Sequence, residues 1–149
     1  EAIKPAGLAN QKAPRIQQVL RRIYADRGEL SIDFLRDLDL EVARKWLVDL
    51  DGVGPKTAAI VLCFAFNLPA FPVDTHIHRV GQRIGFIPPK MGADKAHPYM
   101  EAIIPPEDYY AFHLQVIWHG RQICQARRPA CERCPLTDQC DYYQQLVKA

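Results

Sequence analysis

No run in this 149-residue sequence is long and apolar enough to cross a bilayer, and no secretory signal stands in view where the chain opens EAIKPAG. The first absence sets aside a membrane-spanning role. The second makes the expected setting cytoplasmic, where clustered cysteines more often hold metal than form bridges. Also missing are any alternating strand of useful length, any internal repeat and any low-complexity tract, so an all-α fold is the economical expectation. An excess of one charge is missing too. Nineteen Lys and Arg against 17 Asp and Glu leave +2, so a case for a polyanionic partner has to rest on where the basic residues fall. The opening lacks a methionine as well, which sets the expectation of a fragment or truncated relative whose numbering begins inside a longer protein.

What is present suffices for one or two small domains, since 48% of the residues are hydrophobic. Helical periods dominate. From Ala13 to Arg27 the residues Ile16, Val19, Leu20, Ile23 and Tyr24 form one stripe, with Pro14 in the first turn. From Leu40 to Leu50 the residues Val42, Ala43, Trp46, Leu47 and Leu50 form another. Further helices are expected over 56–66, 75–84, 93–104 and 107–123, separated by breaks at Pro88-Pro89 and Pro105-Pro106. Within the fifth of these, His97-Pro98 predicts a kink or a later start.

The most informative segment is CQARRPACERCPLTDQC, in which Cys124, Cys131, Cys134 and Cys140 are separated by six, two and five residues. Four thiolates this close can close on one metal centre, either zinc or an iron–sulfur cluster. Structural zinc sites commonly pair two short Cys-x2–4-Cys units. Here only Cys131 and Cys134 form one, so spacing leans towards a cluster and leaves zinc open. Arg127, Arg128 and Arg133 share the loop, so a metal there would stiffen a basic surface suited to a polyanion. The fifth cysteine, Cys63, lies in the apolar run AAIVLCFAF and reads as a small core residue.

Two further motifs carry chemistry. LDGVGPKTA, residues 50–58, reads as a helix-hairpin-helix. Gly52 and Gly54 permit a tight turn that leaves main-chain donors around Val53 unshielded, and Pro55 suits a first helical position. The helix that follows adds roughly half a positive charge, a setting for phosphate. A plain helix–turn–helix with glycine caps is the bland alternative. In FPVDTHIHRV, residues 71–80, Asp74 suits a helix N-cap, contributing about 1 kcal/mol. An ionised carboxylate there would also offset a developing sugar cation. Lys56, an ammonium in a first turn, faces the positive end of the helix dipole, which favours the neutral amine that a nucleophile needs.

The ordered set LDGVGPKTAAIVL, VDTHIHRV, HGRQIC and the four cysteines resembles the endonuclease III group of helix-hairpin-helix DNA glycosylases, from about Ile3 to Tyr142. The resemblance implies two helical lobes, residues 1–68 and 69–149, flanking a DNA-binding cleft. It implies Lys56 as Schiff-base nucleophile, Asp74 as essential carboxylate and a [4Fe–4S] cluster on Cys124, Cys131, Cys134 and Cys140. The DNA contacts expected are Gly52, Val53 and Gly54 of the hairpin and Arg121, Arg127 and Arg128 near the cluster. The implied partner is double-stranded DNA bearing a damaged base or abasic site, acted on by a monomer. The implied activity is base-excision repair by a bifunctional glycosylase and AP lyase that removes oxidised pyrimidines. Two alternatives stand beside it: a monofunctional glycosylase of the same superfamily, or a helix-hairpin-helix DNA-binding module without catalysis. The family carries helices upstream of the segment resembling residues 3–13, and these are missing here. Two departures are visible. Asp51 replaces the usual hairpin proline, bringing a negative charge to a phosphate-binding turn, and His78 stands where Phe is common.

Overall fold

The computed structural model describes residues 2–148, with the side chain of Ala6 outside the description. Seven α-helices follow in chain order: α1 Ala9–Arg27, α2 Leu40–Val48, α3 Pro55–Ile60, α4 Thr75–Ile84, α5 Ala93–Ile103, α6 Tyr109–Gln122 and α7 Asp141–Lys148. Short 3-10 turns join them, and no strand occurs among the described residues. No helix is long and apolar enough to cross a membrane.

The buried residues fall into two clusters. One gathers Leu35, Ala43, Leu47, Leu50, Ala58, Ala59, Leu62, Phe66 and Ala70 from α2, α3 and their flanks. The other gathers Cys63, Phe71, Val73, Ile77, Ile87, Ala96, Met100, Ile104 and Tyr109 around α4 and α5. Cys63 is thus the core residue its apolar surroundings suggested. The chain crosses from one cluster to the other at Ala70 and Phe71, and the half-buried ion pair Arg44–Glu101, 2.9 Å, joins α2 to α5 across that division.

Several boundaries differ from the periodicity. The first helix begins at Ala9, because a left-handed Leu8 (φ 52°) turns the chain and its carbonyl accepts from Gln11 and Lys12. Pro14 therefore lies inside α1, where it denies Asn10 a helical donor. Of the expected stripe only Ile23 is fully buried; Ile16, Leu20 and Tyr24 are exposed. The run from Lys56 to Phe66 starts as α3 and widens into a π-helical turn over Val61–Ala65. A left-handed Asn67 (φ 54°) closes it, with Leu68 N–H reaching back to Leu62 O at 2.9 Å. Pro98 neither delays nor ends α5, which starts at Ala93 and runs through it. The last helix, α7, is not among the helices expected from the periodicity.

Candidate active site and cluster loop

The hairpin turn is built on main-chain conformation. Gly52 adopts φ 82°, and a Cβ there would stand 3.2 Å from Arg15 Cδ of α1, so a side chain would be both strained and crowded. Val53 N–H closes the turn onto Leu50 O at 3.0 Å, so that donor is engaged within the protein, while Gly52 and Gly54 are exposed. Gly54 caps α3 with an extended backbone and Pro55 takes the first turn, as its missing N–H allows. The acidic departure at Asp51 is met locally: Gln18 Nε2 donates to its carboxylate at 2.6 Å. Arg15 and Gln18, on α1 and far in sequence from the hairpin, are the hairpin neighbours for which the sequence patterns hold no signal.

Lys56 follows Pro55 and is exposed. Asp74 is buried, 9% exposed, and caps α4: its Oδ1 accepts from His76 N at 2.9 Å and Ile77 N at 2.8 Å. Both capping bonds use Oδ1, so Oδ2 is the oxygen the cap leaves for other work. Leading to it, residues 71–74 form a buried extended strap. Buried main-chain groups outside regular structure need partners, and three side chains supply them. Glu101 Oε1 accepts from Phe71 N at 2.8 Å. His113 Nδ1 meets Pro72 O at 3.0 Å. His97 Nδ1 lies 3.0 Å from Phe71 O and 3.2 Å from Val73 N, donating to the former when protonated and accepting from the latter when bare.

His113 is a buried ring whose ionisation responds to both Lys56 and Asp74. Burial pushes its pKa down most, the hydrogen bond to Pro72 and the Asp74 carboxylate pull it up, and the Lys56 ammonium pushes it down again. The two charges therefore both reach one ring, 4% exposed, that lies edge-on to Phe64 and Phe71. Among the described residues Lys56 and Asp74 form no direct ion pair. An open apolar groove lies elsewhere, lined by Val80, Ile84, Phe112, Trp118 and Leu136, and neither Lys56 nor Asp74 is part of its wall.

The four cysteines surround a common cavity walled by Ile84, His119, Leu136 and Tyr143. None of them forms a disulfide. The Cys131 thiol is pushed up by burial and then by Cys124, Cys134 and Cys140, so four thiolates cannot share this site without a cation to compensate them. Among the described residues no three His, Cys, Asp or Glu side chains are arranged to grip a single metal ion. Four sulfurs facing one apolar cavity fit a polynuclear cluster, in which each thiolate binds its own iron, better than one zinc.

Helix α4 holds this loop in place. Arg79 donates to Gly120 O at 2.8 Å and Cys124 O at 3.1 Å. Arg83 donates to Gln125 O at 2.7 Å, Ala126 O at 2.8 Å and Cys124 Sγ at 3.4 Å. The sequence motifs carry no signal for either arginine, although the two stand one helical turn apart on α4. Arg133 is likewise structural, donating to Gln122 O at 2.7 Å. Arg121, Arg127 and Arg128 are exposed, as a phosphate contact requires. Gly120 lets α6 approach α4, since a Cβ there would stand 3.1 Å from His76 Cβ. His78 is half-buried with Nε2 2.7 Å from Met91 O, which assigns it a structural contact.

Comparison with known proteins agrees with this architecture. Residues 1–106 match the HhH-GPD superfamily base excision DNA repair protein model, and residues 124–140 match the iron-sulfur binding domain of endonuclease III. Endonuclease III of Sulfolobus acidocaldarius is 35% identical over 148 residues, covering 99% of this chain and 64% of that protein. Endonuclease III of Bacillus subtilis is 38% identical over 138 residues, covering 93% and 59%. A solved non-covalent endonuclease III–DNA complex superposes with TM-score 0.80 at 34% identity, covering 99% of this chain and 64% of that one. The chain belongs to the HhH-GPD superfamily of base excision DNA repair proteins, with an iron–sulfur binding segment of the endonuclease III kind. It spans just under two thirds of the length of these relatives.

Proposed function

We propose that the protein is a bifunctional DNA glycosylase and AP lyase of base-excision repair, acting on oxidised pyrimidines in double-stranded DNA. The observation that carries this reading is a buried Asp74 that caps α4 through Oδ1 alone, in a chain that also sets an exposed Lys56 in the first turn of the helix after the hairpin. The lobes are assigned to residues 1–68 and 69–149, a boundary that falls just ahead of the crossing between the two clusters at Ala70 and Phe71. Gly52, Gly54, Arg121, Arg127 and Arg128 contact phosphates, which position the protein on DNA without reading sequence.

The damaged nucleotide is extruded at a cost of a few kcal/mol, least for a lesion. The neutral amine of Lys56 donates its lone pair to C1′, and the glycosidic bond breaks with its electrons leaving on the base. The Asp74 charge offsets the positive sugar as the base leaves, and the carboxylate then takes the proton from the ammonium that the new C–N bond creates. The C1′–O4′ bond opens with its electrons and that proton going to O4′, which leaves a protonated imine at C1′; this acidifies C2′, and loss of the C2′ proton expels the 3′ phosphate by β-elimination. Retention of an amine at position 56 is what separates this reading from a monofunctional glycosylase. Cys124, Cys131, Cys134 and Cys140 would hold a [4Fe–4S] cluster, whose contribution is electrostatic and structural order of the basic loop. Borohydride trapping on duplexes carrying oxidised pyrimidines or an abasic site tests the reading: a covalent adduct with strand cleavage supports it, base release without cleavage supports a monofunctional enzyme, and DNA binding alone supports a non-catalytic module. Iron near four atoms per chain tests the cluster, and one zinc per chain would remove it.

A further inference from the structure

Between the two lobes the chain runs through a buried, extended strap, residues 71–73, that belongs to no regular element and ends on Asp74. Its main-chain polar groups are met by side chains far along the sequence: Glu101 and His97 from α5, and His113 from α6. Resting on the function proposed above, we propose that His113, with His97 beside it, is a positioning residue for the Asp74 carboxylate. The two rings fix the main chain one to three residues ahead of Asp74 and so set where its free oxygen stands relative to Lys56.

The geometry favours this over an ordinary core histidine. A core histidine needs one partner for its N–H and could find it on any helix end. Here both buried rings bond the same short strap, one at Phe71 and Val73, the other at Pro72. His113 is also held on its flanks, with Phe64 at 5.3 Å and Phe71 at 6.2 Å between ring centroids, so its Nδ1 has little freedom to follow a strap that moves. The groups bearing on it are Asp74 and Lys56, the two the chemistry needs at a set separation. Burial keeps this ring neutral, so it supplies one N–H to Pro72 O without adding a second cation beside Lys56.

The test uses the full-length, cluster-loaded protein with His113→Leu, which removes the donor, and His113→Asn, whose side-chain N–H can stand where Nδ1 does. Single-turnover trapping on abasic duplex should fall roughly ten- to a hundred-fold in His113→Leu, the range expected for a displacement of about 1 Å. Binding to a duplex carrying a non-cleavable abasic analogue should stay within about two-fold, and His113→Asn should recover most of the rate. If His113→Leu does not fold, His113→Phe retains a ring between Phe64 and Phe71 while lacking the donor. A wild-type rate in the donor-less variant, or an equal loss in His113→Asn, overturns the proposal. Amide exchange decides independently of turnover. The His76 and Ile77 N–H groups that donate to Asp74 should lose protection in the donor-less variant and regain it in His113→Asn, and unchanged protection also overturns it. Lys56→Ala and Asp74→Asn run alongside: if they trap like wild type, the proposed chemistry fails, and the exchange measurement still rules on the positioning.

Discussion

Lys56 and Asp74 differ in exposure, and their substitutions should differ in kind. Lys56→Ala should eliminate the borohydride-trapped adduct, because it removes the one amine heading the helix after the hairpin. Asp74→Asn should leave DNA affinity nearly intact and lower turnover by orders of magnitude, through loss of an ionised group in a partly desolvated site. Gel analysis of trapped complexes beside equilibrium binding separates the two. His113 gives a pH dependence. Its folded pKa lies below the ordinary histidine value of about 6.5, so the unfolded chain takes up the proton first. Where the unfolded state binds more protons, stability rises with pH. The His113 contribution is therefore fully present above about 6.5 and is lost as pH falls from there towards the lowered folded value. Urea titrations at descending pH should show this loss in the wild type and a flatter profile in His113→Asn. The cap that Asp74 makes on α4 and the place of Lys56 in the first turn of α3 were legible from the sequence, because each lies in a short motif. His97, Glu101 and His113 were not, since they act on main-chain atoms 24 to 41 residues away, where identity leaves no local pattern.

At the scale of elements, periodicity found what packing obeys and missed what capping decides. The fourth helix matches the expected span, Thr75–Ile84, since Asp74 starts it and a left-handed Gly85 stops it. The first was misjudged at its start because Leu8 is an unusual cap, and in its burial because most of its apolar stripe faces outward. Helices α4 and α6 meet so closely at Gly120 that Gly120→Val must part them. A cost of about 1–3 kcal/mol is expected in urea unfolding, together with reduced cluster content as Arg79 loses Gly120 O and Cys124 O. On the loop beyond, replacing both Arg127 and Arg128 with Ala should weaken duplex binding about equally across sequences. The salt dependence should flatten by roughly one to two units of log–log slope, read from titrations at several salt concentrations. An unchanged slope would turn these arginines away from DNA.

Taken whole, the molecule has two hydrophobic clusters, and the loop of residues 124–140 beyond them contains only two short 3-10 turns. A metal centre there contributes folding free energy directly. Iron chelation or oxidative loss of the centre should lower the unfolding temperature in calorimetry and loosen residues 124–148 first, while amides of α2 and α3 keep their protection. The architecture itself was legible as all-α with a cysteine module. The strap between the lobes was not, because nothing in FPVD announces that its carbonyls are held by helices not yet reached in the sequence.

That strap also orders events in time. A chain emerging from the ribosome presents the hairpin and Lys56 early, with the contacts of the first lobe already within reach. The carbonyls of Phe71 and Pro72 must wait for α5 and α6, so water holds them until His97 and His113 have been synthesised and packed. A nascent chain thus carries its amine well before its carboxylate has a fixed address. Lys56 and Asp74 acquire a defined separation only as α6 docks, so the proposed site is assembled by completion of the fold.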